Sequence, residues 1–398
     1  MSAYIYDGLR TPFGRHAGAL APIRPDDLLS GVIRTLLTRG PFEPGAVEDV
    51  VIGCANQAGE DSRNVARHAA LLSGLPIETG GVTVNRLCGS GLAAVLDAAR
   101  SVMTGQGELF VAGGVESMSR APFAMGKAES PYSREAQVFD TTLGARFPNA
   151  RLVARFGGDT MPETADNIAR DLGIGREPTD RFALASQQKY ATAQARGFFS
   201  GELVPVELPG RRGTVTTVAT DEHPRADTTL DKLSTLRPLA ADGVVTAGNA
   251  SGINDGAAAL LIGSLNAGED AGCKPLARIV SAAIAGVPPR TMGLGPVPAA
   301  RKALERARLT LADVDVIEIN EAFAVQVLGC LKLLELSEDD SRVNPNGGAI
   351  AVGHPLGASG ARLALTAARQ LQVSGGRYAL VSMCIGVGQG IAAVLERV

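Results

Sequence analysis

Apolar residues in this chain come in short runs, and Ala-rich stretches of helical length lie between them. DVVIGCA and GVTVNRLC read as strands, LAAVLDAARSVMTG as a helix, and GELFVAGGVES as the next strand. The last third repeats this style. DVDVIEIN reads as a strand, AFAVQVLGCLKLLEL and ARLALTAARQLQVSG as helices, and RYALVSMCIGVG and GIAAVLERV as strands. Strand–helix–strand alternation predicts an α/β fold with parallel or mixed sheets covered by helices. The two ends also resemble each other. Cys88 and GSG lead into an Ala-rich helix and a strand ending in AGG (112–114). His354 and PLGASG lead into another Ala-rich helix and a strand ending at Cys384, at nearly the same spacing. This predicts a duplicated unit whose facing halves bring Cys88 to His354 and Cys384.

The middle, about residues 122–246, is polar and loop-rich, with a helix-like PTDRFALASQQKYATAQARG and a basic PGRRGT. It reads as an insertion, and loops on a rigid scaffold often carry binding. GNASGINDGAAALLIG then returns to the earlier style. At 398 residues the chain exceeds one hydrophobic core. The expected division is a first half at 1–121 with 247–271, an inserted loop domain at 122–246, and a second half at 272–398.

Composition narrows the function classes. Hydrophobic residues make up 45% and charged residues 20%, an ordinary globular balance. A net charge of -3 and the absence of tryptophan argue against a nucleic-acid or membrane-surface binder. An anionic ligand needs a local basic patch instead. Many of the 48 glycines sit in short clusters, which suggests tight turns and close backbone approach. The cysteines at 54, 88, 273, 330 and 384 form no CxxC, and no apolar run reaches the length of a membrane span. The N-terminal MSAYIYDGLRTPFG has no secretory pattern, so a cytoplasmic location with free thiols is expected. Histidines and cysteines show no ligand-like spacing, so no metal is expected.

Chemistry gathers at a few positions. A helix starting just after Cys88 would favour its thiolate and lower its pKa. Gly89 and Gly91 leave room for a substrate. The plainer reading is a small inert core residue. GSGLAA, with Glu108 about 20 residues on, also fits a dinucleotide fingerprint loosely, but a cysteine occupies the place where that turn begins. GVGQG lacks the required spacing, and no GxSxG occurs. His354 sits in a glycine-rich frame before Pro355, a costly setting for a purely structural side chain, whereas His16, His68 and His223 read as structural or exposed. Asn320-Glu321 after DVIEI is either a helix cap or a holder of water at a site.

NRLCGSG, AGGVESMS, GNASGINDGAAAL, NEAF, GHPLGASGAR and CIGVGQG occur in order across nearly the whole chain. As a set they resemble the thiolase family. GCANQAGEDSRNVARHAALL, ESMSRAPFAMGKA, FDTTLGARF, MPETADN and RTMGLGPVPA are similar to its 3-oxoadipyl-CoA branch. The resemblance implies a layered α-β-α-β-α arrangement of duplicated mixed-sheet halves with an inserted loop domain. It implies thiolysis of a 3-oxoacyl-CoA by coenzyme A, a co-substrate rather than a resident cofactor. Cys88 would be the nucleophile, His354 its base, and Cys384 the second acid/base. His354 with a water on Asn320, and the N–H groups of Cys88 and Gly386, would form two oxyanion holes. Ser251 and Arg225 would contact CoA, and Met161 and Phe323 would line the substrate's path. A homotetramer (dimer of dimers) or homodimer is expected, with no nucleic-acid or membrane partner.

Two departures concern the acyl tail. Thr160-Met161 stands where biosynthetic members carry a histidine before the methionine, and Ala145 stands where the 3-oxoadipyl branch often has an aromatic residue. Arg146, Arg151 and Arg155 could neutralise a distal carboxylate or form a solvated basic loop. A broad-range 3-ketoacyl-CoA or acetoacetyl-CoA thiolase is the alternative reading. A decarboxylating ketosynthase has no need of Cys384, and a non-catalytic relative has no need of the intact Cys88, His354 and Cys384.

Overall fold

The computed structural model describes residues 1–210 and 213–398; Arg211 and Arg212 of the PGRRGT stretch lie outside the described residues. The first part folds as β1 (Ala3–Arg10), β2 (Gly14–Arg15), α1 (Pro25–Arg39), β3 (Asp49–Gly53), α2 (Val65–Ser73), β4 (Val82–Val84), α3 (Ser90–Met103) and β5 (Leu109–Ser117). The middle carries β6 (Phe123–Met125), β7 (Val138–Asp140), α4 (Ala150–Phe156), α5 (Met161–Leu172), α6 (Arg176–Ala195), β8 (Val206–Pro209), β9 (Val215–Val218) and α7 (Leu230–Ser234). The chain continues with β10 (Asn254–Gly263), α8 (Leu265–Asp270), β11 (Ala277–Gly286), α9 (Pro296–Ala307) and β12 (Val316–Ile319). It closes with α10 (Ala324–Leu333), α11 (Ala349–Val352), α12 (Leu356–Ser374), β13 (Tyr378–Ile385) and β14 (Gln389–Arg397).

The long strands hydrogen-bond in the order β12-β13-β14-β11-β1-β10-β5-β3-β4. The duplication is visible in their polarity. β3 runs parallel to β5, β5 antiparallel to β10, and β10 antiparallel to β1. The second half repeats the pattern: β12 is parallel to β13, β13 antiparallel to β14, and β14 antiparallel to β11. The halves meet edge to edge where β1 pairs β11 through three residue pairs, Ala3↔Ile279 to Ile5↔Ala277.

Helices form the other layers. α1 and α2 cover the outer face of the first half, packing Leu29, Ile33 and Leu36 against Val50, Ile52 and Val111. α9 and α10 cover the second, with Ala300, Val327 and Leu331 against Ile317 and Leu380. α3 and α12 lie between the halves in one core that takes Ala112 and Leu260 from one and Val381 and Ile391 from the other. Small residues let this inner layer close tightly. A Cβ on Gly91 would lie 2.4 Å from the Gly357 oxygen, and one on Gly360 would lie 2.3 Å from the Leu92 nitrogen. A Cβ on Gly114 would lie 1.8 Å from the Gly357 oxygen. Backbone therefore packs on backbone among α3, β5 and α12, which only glycine permits.

One predicted strand is shorter than its apolar run. GVTVNRLC forms strand only over Val82–Val84. The Asn85 Oδ1 accepts the Leu87 N–H at 2.8 Å and turns the chain, leaving Leu87 left-handed at φ 47°. Cys88 thus sits in a strained turn ahead of α3, not at a strand end.

Candidate active site

Three turns converge where the inner layer meets both halves. Each owes its shape to local chemistry. Gly353 has φ 105°, and a Cβ there would lie 2.7 Å from the Asn254 side chain, so the residue before His354 must be glycine. The Asn254 Oδ1 accepts the His354 N–H at 2.8 Å, while its Nδ2 donates to the Gly14 oxygen at 2.9 Å. Val387 is left-handed at φ 62° in the turn between β13 and β14, an uncommon state for a β-branched residue and a mark of imposed strain. That turn follows Cys384 and presents the Gly386 N–H toward the Cys88 sulfur.

The His354 ring is almost fully buried, and its hydrogen bonds fix its tautomer. Ser359 Oγ lies 2.6 Å from Nδ1, and the same hydroxyl donates to the Pro355 oxygen at 2.9 Å. With its one proton committed, Ser359 must accept, so Nδ1 carries the hydrogen and Nε2 keeps its lone pair. Nε2 faces the Asn320 Nδ2 at 3.4 Å. Burial, reinforced by the Arg362 charge, pushes the His354 pKa down to about 3, so the resting imidazole is neutral and able to accept a proton. Asn320 Oδ1 is buried without a hydrogen-bond partner in the protein, an acceptor suited to holding one water.

The two thiols are neighbours with different surroundings. Cys88 keeps part of its surface open, yet protein packs closely round its sulfur. Burial pushes its pKa up to about 11, against the opposing pull of the Gly386 N–H and its own N–H. The lowered pKa expected from the helix start is therefore corrected. α3 begins at Ser90, yet burial is the largest influence on the thiol and favours its neutral form. Cys384, fully buried on β13, lies well above the ordinary thiol range, first through burial and then through Cys88 and Cys330 nearby. It belongs to a buried apolar cluster that also holds Phe323, Met292 and Ala165.

NEAF is not a helix cap. α10 is preceded by Phe323, whose side chain makes no cap bond. Glu321 instead accepts from Ser186 Oγ at 2.6 Å, Asn344 Nδ2 at 2.8 Å and the Ile350 N–H at 3.1 Å, holding the segment that leads to His354. Glu116 of AGGVESMS does the same from the other half, accepting the N–H groups of Ala55, Asn56 and Gly357 at 3.0, 2.9 and 2.9 Å. Burial raises its pKa to about 7 in spite of those donors. Sequence reasoning assigned no role to Glu116, Asn254 or Ser359. The one signal for Ser359 was its place one turn into the helix after His354.

The remaining candidates are looser. The Ser251 N–H donates to the Ala322 oxygen at 2.9 Å, which sets it beside Phe323. Arg225 is exposed, with its N–H on Gln187 Oε1 at 2.9 Å. Met161, 40% exposed, begins α5 one turn before Ala165. Arg146 donates to Asn56 Oδ1 at 3.1 Å, and Arg151 and Arg155 lie exposed on α4, Arg155 over the Phe156 ring.

A partly open thiol, a neutral buried imidazole, a buried amide and a second thiol are groups that suit acyl transfer to and from sulfur. The thiolase N-terminal domain matches residues 3–266, and the thiolase C-terminal domain matches residues 273–397. The chain belongs to the thiolase family. It is 59% identical to the 3-oxoadipyl-CoA/3-oxo-5,6-dehydrosuberyl-CoA thiolase of Escherichia coli K12, over 100% of this chain and 99% of that one. It is 58% identical to a beta-ketoadipyl-CoA thiolase of Acinetobacter baylyi, with the same coverage. Among solved structures, the Bacillus anthracis acetyl-CoA acetyltransferase superposes with a TM-score of 0.93 at 38% identity, covering 100% of this chain and 99% of that one. Human mitochondrial 3-ketoacyl-CoA thiolase in complex with CoA gives 0.91 at 38%, covering 100% and 98%. This thiolase is an acyltransferase that takes CoA as a substrate. Among its described residues no helix is long and apolar enough to cross a membrane.

Proposed function

We propose that this thiolase cleaves 3-oxoadipyl-CoA with CoA, giving succinyl-CoA and acetyl-CoA through an acyl-enzyme on Cys88. The observation that carries the mechanism is the tautomer of His354, whose free Nε2 faces Asn320 and can take a proton from a thiol that burial holds above its ordinary pKa. The substrate is supported by the full-length likeness to relatives named for it.

His354 Nε2 takes the Cys88 proton, and the sulfur attacks the 3-oxo carbonyl. The tetrahedral oxygen is received by the Cys88 and Gly386 N–H groups. The Cα–Cβ bond then breaks, and the electron pair leaves as the enolate of acetyl-CoA. Its oxygen is held by the protonated His354 and the Asn320 water, and its carbon takes the Cys384 proton. In the second half Cys384 removes the proton of the incoming CoA thiol, which attacks the acyl-enzyme. Each positioned acid or base is worth roughly 10²- to 10⁴-fold. Ser251 and exposed Arg225 meet CoA, and Met161 and Phe323 border its acyl end. Arg146, Arg151 and Arg155 offer charge to the distal carboxylate.

The matching assembly is a dimer of dimers in the cytoplasm. Among the described residues β4 ends the sheet with an unpaired edge, and the β6–β7 hairpin exposes Phe123, Met125 and Val138. Mass spectrometry after incubation with 3-oxoadipyl-CoA tests the acyl-enzyme: a succinyl adduct on Cys88 is expected, and its absence from folded protein overturns the mechanism. The ratio of kcat/KM for 3-oxoadipyl-CoA, acetoacetyl-CoA and a long unbranched 3-oxoacyl-CoA tests the substrate. A preference for either of the last two replaces it with the broad-range reading.

A further inference from the structure

One buried carboxyl group that the mechanism above leaves unused touches segments of both halves. Glu116 stands near the end of β5 and pairs with Gly256 of β10, two residues from the Asn254 that accepts the His354 N–H. Its Oε2 accepts two N–H groups, from Ala55 at 3.0 Å and from Gly357 at 2.9 Å. Its Oε1 accepts the Asn56 N–H at 2.9 Å and faces the Cys54 sulfur at 3.8 Å. Ala55 and Asn56 follow β3 in the first half, and Gly357 lies in the first turn of α12 in the second. A single oxygen therefore ties the two halves together.

Each end of this tie leads to a reacting group. Toward the base, Gly357 shares the first turn of α12 with Ser359, whose hydroxyl holds His354 Nδ1 at 2.6 Å. A Cβ on Gly357 would lie 2.2 Å from the Val115 oxygen and 2.5 Å from the Gly53 oxygen. Packing thus stops this turn from moving inward, and Glu116 stops it from moving away. Toward the nucleophile, the Ala55 oxygen accepts Asn85 Nδ2 at 2.9 Å, and the Cys54 N–H donates to the Val84 oxygen at 3.1 Å. Asn85 Oδ1 accepts the Leu87 N–H at 2.8 Å, with Leu87 left-handed at φ 47°. A leucine keeps that conformation only where its surroundings impose it. Cys88 is the next residue. The path from the Cys88 turn through Asn85, Ala55, Glu116, Gly357 and Ser359 to the imidazole is made of protein atoms throughout.

We infer that Glu116 is a positioning residue that sets the Cys88 sulfur against His354 Nε2, acting through Asn85 on one side and the first turn of α12 on the other. The inference rests on His354 being the base. Loosening the tie lets the two turns part, and a base outside hydrogen-bond reach of its proton does not take it.

The test is the rate of Cys88 alkylation by iodoacetamide at pH 7 and pH 10 in the full-length protein. The adduct is read on the Cys88 peptide by mass spectrometry, so that Cys54 beside Glu116 does not contribute. Glu116→Asp keeps the acid but loses about 1.5 Å of reach, too much for one oxygen to hold both Ala55 and Gly357. Its pH 7 rate should fall about ten-fold, short of the 10²-fold that a full ångström of misplacement can cost. At pH 10 hydroxide takes the thiol proton, and the rate should match wild type. An equal loss at both pH values assigns the effect to packing round the sulfur and overturns the proposal. So does a wild-type rate at pH 7. Asn85→Ala, at an exposed position, breaks the same path nearer Cys88 and should show the same pH-dependent loss. An unchanged pH 7 rate there overturns the proposal even where Glu116→Asp does not fold. The double variant should be no slower than the slower single one; losses that multiply mean two independent effects and overturn the shared path. His354→Ala separates the two readings: if it alkylates at the wild-type rate at pH 7, the base assignment fails. If it is slow while Glu116→Asp is unchanged, only the role of Glu116 fails.

Discussion

Gly114→Ala measures how firmly the inner layer positions the base. The added Cβ would lie 1.8 Å from the Gly357 oxygen, where ordinary contact begins at 3.4 Å, so the backbones must part by about 1.6 Å. Neither neighbour is a flexible side chain. Gly357 is also pinned from the other half by Glu116, whose Oε2 accepts its N–H at 2.9 Å. The displacement therefore passes to the start of α12, three residues from His354. Overpacking of this kind costs about 1–3 kcal/mol of stability. A catalytic group moved by about 1 Å costs on the order of 10²-fold in rate. Urea denaturation and thiolysis kcat read the two effects separately. Gly31→Ala on α1 is the control: a Cβ there meets nothing within 4 Å, so about 0.5–1 kcal/mol of added stability and unchanged kcat are expected. A Gly114→Ala protein with wild-type midpoint and wild-type kcat would refute the argument.

Three further outcomes follow from the site. Cys384→Ala should still form the Cys88 adduct, slowly, but lose turnover by about 10²-fold or more; unchanged steady-state thiolysis contradicts its role. Asn320→Ala should lower kcat by about 10²- to 10³-fold with little change in KM, since it removes the holder of one oxyanion donor; a change in KM alone would count against that. The His354 pKa, about 3 when folded against 6.5 ordinarily, gives stability that is complete above pH 6.5 and lost as the pH falls toward 3. The loss is about 1.4 kcal/mol per pH unit in that window. Between pH 7 and pH 5 the wild type should lose about 2 kcal/mol more than His354→Gln in urea denaturation, and equal losses would contradict a buried neutral imidazole.

Much of this was legible in the order of residues because apolar runs and Ala-rich helices mark their own boundaries. The duplicated pattern around Cys88 and His354 placed the two thiols and the imidazole together before any coordinates. What the sequence hid was set by long-range packing. Whether Cys88 would ionise depended on how completely the second half desolvates it, and burial overcame the favourable helix start. Glu116 carried no signal of its role, since its backbone partners Ala55, Asn56 and Gly357 come from segments far away in the chain. The NEAF segment fitted a cap by local rules, but Glu321 is drawn into the core by Ser186 and Asn344, and the helix starts without it.

The seam between β1 and β11 is only three residue pairs long, so the union between the halves rests on the shared inner core and on the glycine contacts that let its layers close. This has an evolutionary consequence. A recombinant that joins the first half of one relative to the second half of another inherits Gly91 and Gly114 from one parent, and Gly357 and Gly360 from the other. Drift that enlarges any one of these positions cannot be absorbed locally. The two halves are thus held to a common history, and a viable crossover must carry a matched set across the junction.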